Sequence, residues 1–117
     1  MKRVIKAATD YYVEYNVTVG FCGFIGVEAQ LTIDALEDTD KEELLRIVQD
    51  TYAYDLLEGE VIEHDEDDVR YVVEVTFDGQ IGSSQTYNIL ANDDDEAIDD
   101  AIEEAKDDLE IIEFHEL

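Results

Sequence analysis

The chain repeats itself, and that constrains its fold more than any other feature: the order of elements read from Tyr11 to Glu63 returns from Arg70 to Phe114. In the first copy Val13, Tyr15, Val17 and Val19 alternate with Glu14, Asn16 and Thr18, the period-two signature of a strand with one buried face. In the second copy Tyr71, Val73, Val75 and Phe77 do the same. A glycine-bearing segment follows each run, Gly20 to Gly26 and Asp78 to Gly82, and both end in Ile-Gly. These predict hairpin loops.

The returning strands are marked by Val27, Ala29, Leu31, Ile33 and Ala35 in one copy and Tyr87, Ile89 and Ala91 in the other. A helix start follows each. Thr39 with Glu42, and Asp93 with Glu96, have the spacing at which a cap oxygen and a carboxylate satisfy each other's free backbone donors. The first helix then carries Leu44, Leu45, Val48, Thr51, Tyr52 and Leu56 as its apolar stripe, and the second Ala97, Ile98, Ala101, Ile102, Ala105 and Leu109. Short strands at Val61-Ile62 and Ile111-Ile112 close the units. The expected fold is therefore α+β, a tandem β-β-α-β pseudo-repeat forming an antiparallel sheet with two helices packed on one face. At 117 residues the chain is expected to make a single domain over 1–117, with repeats at 11–63 and 70–114 and an acidic connector at 64–69 that serves as hinge or edge.

Charge sets the functional expectation. There are 33 Asp and Glu against 7 Lys and Arg, a formal net charge of −26. A net of about 2 to 8 keeps a small domain soluble, and repulsion beyond that works against the compact state. Apolar residues still make up 45% of the chain, enough for a core. The sign excludes direct binding to nucleic acid or anionic lipid, both of which need Lys and Arg clusters. The opening Met1-Lys2-Arg3-Val4-Ile5-Lys6-Ala7-Ala8 is basic without a long apolar run, and no stretch approaches the roughly 20 apolar residues of a membrane span. Cys22 is the only cysteine, so no intrachain disulfide forms. A cytoplasmic protein is expected.

Of the 33 carboxylates, 13 lie in residues 1–60 and 20 in residues 61–117. Asp95, Asp99, Asp100, Glu103, Glu104 and Asp107 fall away from the apolar stripe of the second helix, and Asp65, Glu66, Asp67 and Asp68 crowd the connector. Like charges one helical turn apart cost about 0.2–0.5 kcal/mol each. Rows of carboxylates imitate phosphates, so the expected partner is a basic nucleic-acid-binding protein, bound and inhibited through its own nucleic-acid groove. Acidic inhibitors of the anti-restriction and anti-CRISPR kinds, carried by phages and mobile elements, supply the analogy. Phe21 and Phe24 in the first hairpin loop are the expected apolar anchors, with Ile25 beside them.

Two other uses of the acidity stand beside this one. The first is a structural or oligomeric acidic domain adapted to salt; the second is a divalent-cation module. Asn92, Asp94, Glu96, Asp100 and Glu103 fall at calcium-loop offsets, but Ala97 stands where such a loop needs glycine. No metal or cofactor is therefore expected. His64 and His115 have no nucleophile partner in the pattern, and no phosphate loop or nucleophile elbow is present, so no enzyme is expected.

Overall fold

A computed structural model describes residues 12–117; the basic stretch Met1–Ala8 and Tyr11, the first residue of the first repeat, lie outside the described residues. Strands β1 (Tyr12–Phe21) and β2 (Glu28–Leu36) form a hairpin. Helix α1 follows, α-helical over Lys41–Ile47, a π-turn over Val48–Tyr52 and α-helical again over Ala53–Leu56. Strands β3 (Leu57–His64), β4 (Arg70–Phe77) and β5 (Ser84–Leu90) come next, then helix α2 (Asp94–Ala105), a 3-10 turn (Lys106–Asp108) and β6 (Leu109–Glu116). The class is α+β, with the β-β-α-β order running twice.

The strands divide between two antiparallel three-stranded sheets, β2-β1-β6 and β3-β4-β5, where the sequence pattern suggested one. Each hairpin takes its third strand from the other repeat: β3 pairs with β4, and β6 with β1. Alternation in a strand reports which face is buried and carries no information about the neighbour, so this exchange is decided in three dimensions. The two third strands are eight residues each, longer than the dipeptides Val61-Ile62 and Ile111-Ile112 mark; β3 begins directly after α1 and β6 directly after the 3-10 turn that ends α2.

The two hairpins share one register. Tyr15 faces Ile33 and Asn16 faces Thr32 in the first; Tyr71 faces Ile89 and Val72 faces Asn88 in the second, each position 56 residues on from its counterpart. The turns match as well. Phe21-Cys22-Gly23-Phe24-Ile25-Gly26 and Phe77-Asp78-Gly79-Gln80-Ile81-Gly82 both have positive φ at the second and third residues, 53° and 70° in one and 46° and 68° in the other. The Phe24 N–H donates to the Phe21 carbonyl at 3.1 Å and the Gln80 N–H to the Phe77 carbonyl at 2.9 Å. Two positive φ values give the turn the twist that a tight hairpin requires, which is why glycine holds the third place.

At these turns the halves interlock. Phe21 and Phe77 are fully buried and stack, with ring centroids 5.7 Å apart and planes 15° apart. The Cys22 N–H donates to the Asp108 carbonyl at 2.9 Å, and the Asp78 N–H donates to the equivalent Leu56 carbonyl. The central strands β1 and β4 thus run inward from opposite ends and meet at their C-terminal phenylalanines.

The helices lie together over this junction, linked by Gln49 Nε2 donating to the Lys106 carbonyl at 3.0 Å and Tyr54 Oη donating to Glu103 Oε2 at 3.1 Å. Helix α2 packs across all three strands of its sheet through buried Ala97, Ala101, Ile102 and Ala105, with Ile98 half-buried. The approach is close: a Cβ on Gly59 of β3 would come within 2.8 Å of Ile98. Leu109, the sixth residue of the expected stripe, is buried as the first residue of β6. Helix α1 buries Leu44, Val48, Ala53 and Leu56, while Thr51 is exposed. The π-turn adds a residue to one turn and rotates Thr51 out and Ala53 in, a shift that a strict helical period misses. Its cap is Asp40, which accepts from the Glu43 N–H at 2.9 Å, one residue beyond the expected Thr39 and Glu42; Thr39 donates instead to the Leu36 carbonyl.

Candidate partner-binding surface

The expected carboxylates of α2 lie on its solvent side. Asp95, Asp99, Asp100, Glu103 and Glu104, and Asp107 in the turn beyond, are all exposed. The helix forms there because its alanine and isoleucine stripe faces the sheet and Asp93 caps it, accepting from the Glu96 N–H at 2.8 Å. Along Asp94–Ala105 there are seven carboxylates and no basic residue. Lys106 follows and folds back, its Nζ 3.0 Å from Glu103 Oε2. Hydrogen bonds from Lys106 and then Tyr54 hold the Glu103 carboxyl below its ordinary range. Tyr54 itself is pushed up, first by burial and then by Glu103, Asp99 and Asp100.

The connector is a tight turn between the paired strands β3 and β4, with the Asp68 N–H donating to the Asp65 carbonyl at 2.9 Å. It joins neighbours in one sheet and so does not hinge the repeats. Asp65, Glu66 and Asp67 are exposed; Asp68 is half-buried and engaged, taking Arg70 Nη2 at 2.6 Å and Nε at 2.9 Å on Oδ2. Those bonds hold Asp68 below its ordinary range. His64 stacks on Tyr71 with centroids 3.7 Å apart and donates from Nε2 to the Asp68 carbonyl at 2.6 Å.

Topology brings the connector and the start of α2 to one end. The Ala91 N–H, just before α2, donates to the Val69 carbonyl, just after the turn, at 2.9 Å. Tyr71 is pushed up by burial and then by Asp94, Asp93 and Glu96, which places the start of α2 beside the connector. Asp65–Asp67 and Asp93–Glu96, about thirty residues apart in sequence, thus lie together at the outer end of the second sheet, and α2 carries its remaining carboxylates from there toward the junction.

Of the two expected anchors, Phe21 is a correction: it is 0% exposed and stacked in the core, so it is not offered to a partner. The signal was present in the sequence, since Phe21 continues the odd-numbered buried series of Val17 and Val19. Phe24 is half-buried, and the fully exposed apolar side chains of the two tips are Ile25 and its counterpart Ile81. At Cys22, beside the stack, burial first and then the Asp108 carboxylate push the thiol up to about 12, which disfavours the thiolate.

The open faces of the sheets are acidic too. Glu14 stands directly across from Asp34, and Glu60 across from Glu74, pairings that like charge disfavours. Glu28, Gln30 and Thr32 are exposed, whereas Asn16 is half-buried and Thr18 buried.

Of the residues at calcium-loop offsets, Asp94, Glu96, Asp100 and Glu103 lie on helix α2 and Asn92 just before its cap, so a helical backbone stands in place of the coiled loop that a calcium site needs. Among the described residues no group of three His, Cys, Asp or Glu side chains is placed to hold a metal ion, and no helix is long and apolar enough to cross a membrane. Comparison with known protein families, curated proteins and solved structures finds no match to this chain.

Proposed function

We propose that this chain is a nucleic-acid mimic acting in the cytoplasm, which occupies the basic groove of a DNA- or RNA-handling protein and inhibits it, in the manner of anti-restriction and anti-CRISPR inhibitors. One observation carries the reading. Helices α1 and α2 hold equivalent places after equivalent caps, Asp40 and Asp93, yet Lys41 and Arg46 on α1 correspond to Asp94 and Asp99 on α2. The fold accepts mixed charge at these sites, so the carboxylates of α2 are not a requirement of folding. Seven of them along about 18 Å of helix axis give one charge per roughly 2.6 Å, the same order as the roughly 1.7 Å of duplex DNA. The exposed Asp65, Glu66 and Asp67 extend that surface beyond the start of the helix.

The test is affinity capture on the immobilised protein from nuclease-treated lysate, with elution in salt steps and in the presence of competing duplex DNA. A nucleic-acid enzyme that survives to high salt, is displaced by DNA and is lost when Asp95, Asp99, Asp100 and Glu104 become Asn or Gln supports mimicry. A broad spread of basic proteins released together at the first step would overturn it in favour of generic acidity.

A further inference from the structure

The open face of the second sheet differs from that of the first in a way the fold does not require. At the outer end of the first sheet the outward positions are Glu14, Asn16, Thr32 and Asp34. At the matching register positions of the second they are Arg70, Val72, Asn88 and Leu90. Two polar or charged residues are thus replaced by aliphatic ones on a face that both sheets leave open. Leu90 is 69% exposed, Val72 is half-buried, and Ile62, at the bulge of β3 opposite Val72, is 51% exposed. Along the paired strands β4 and β5 lies a groove of about 220 Å³ lined by Arg70, Tyr71, Val72, Asn88, Ile89 and Leu90. Its setting is acidic. Glu63 faces Val72 across the ladder, Glu74 follows on the same face with Glu60 opposite, and the Arg70 charge is taken up by Asp68.

We infer that this groove receives an aliphatic side chain from a lysine- or arginine-rich segment of the partner protein, whose basic residues pair with Glu60, Glu63, Glu74 and the Asp65–Asp67 turn. The inference rests on the mimicry reading and adds to it the chemistry of the bound segment. Charge complementarity selects the occupant. A second copy of this chain would bring another net charge of −26 against these carboxylates, whereas a basic segment with an apolar centre satisfies both the ring and the groove. Charge draws the segment in and the buried aliphatic contact holds it.

The test titrates the full chain with two synthetic peptides of equal charge, one lysine-rich with a central pair of leucines and one with serines in their place. The leucine peptide should bind at least about tenfold more tightly, the worth of burying one aliphatic side chain. Val72→Asn, which copies Asn16, and Leu90→Ser should each remove most of that preference while leaving the serine peptide's affinity unchanged. Circular dichroism confirms folding, which is expected because both residues face solvent. Equal binding of the two peptides, or a preference that survives both substitutions, would overturn the groove and leave charge-based mimicry standing. Failure of both peptides to bind at physiological salt would overturn the two readings together.

Discussion

Helices α1 and α2 occupy equivalent places over equivalent hairpins and solve the same packing problem differently. Helix α1 uses Leu44 and Val48, takes a π-turn and mixes its charges; Arg46 pairs with Glu43 and stands 3.9 Å from Asp50. Helix α2 puts alanine at the positions of Leu44 and Val48, lies close against its sheet and is acidic over its whole exposed side. Small buried residues let α2 lie close against its sheet without large side chains, and its helical geometry fixes the spacing of its carboxylates. The difference teaches that shape and charge are separable here: both helices fold, and only one is a charged rod.

Substitutions that exchange the features of the two halves sharpen this contrast. The largest effect is expected at the shared stack, where Phe21→Ala and Phe77→Ala should each cost about 3–5 kcal/mol. Because each sheet borrows a strand from the other repeat, hydrogen exchange should quicken in both sheets for either variant; loosening confined to one sheet would mean that the exchanged strands do not couple the halves. Next come the helix seats. Leu44→Ala should lose about 2–5 kcal/mol to a cavity, and the reverse change, Ala97→Leu, about 1–3 kcal/mol to overpacking. A neutral Ala97→Leu in thermal unfolding would show that α2 is not held as closely as Gly59 and Ile98 indicate.

Smaller effects follow from charge. Asp99→Arg copies Arg46 and turns repulsion from Asp95, Glu96 and Glu103 into attraction, so in low salt it should stabilise by about 1 kcal/mol, while Arg46→Asp should do the opposite. Both changes should fade as added salt shortens the screening length from about 30 Å to about 8 Å. An Asp99→Arg variant that is less stable at low salt would contradict the exposed acidic side of α2. The smallest effect concerns Asp68. Its folded pKa lies below the ordinary 3.8, so its pairing with Arg70 stabilises fully above that value and is lost as pH falls through the lowered one. Asp68→Asn should therefore lower stability slightly at neutral pH, where the pairing is fully present, and converge with the parent in acid, so that the acid limb of the stability curve below about pH 4 is flatter.

Much of this was legible in the sequence. The strands of both hairpins, the two helices and the exposure of Asp95, Asp99, Asp100, Glu104 and Asp107 follow from period, because burying one face of a regular element leaves a signature in composition. Phe21 was readable as core by the same rule and was obscured by its position beside a glycine-rich loop. The engagement of Asp68 and Glu103 by Arg70, Lys106 and Tyr54 was less visible, since it depends on side-chain reach between turns and between helices. The π-turn that exchanges Thr51 for Ala53 leaves no mark in the apolar pattern.

By itself the sequence determined the repeat, the buried face of each strand and the sign and unevenness of the charge, all of which are local or periodic properties. Only the tertiary structure decided which strands pair across the repeats, that the connector and the start of α2 share one end, and that Val72 and Leu90 face outward beside a groove. Those depend on contacts between residues distant along the chain, and period records the face a residue turns to the core but not the neighbour it meets there.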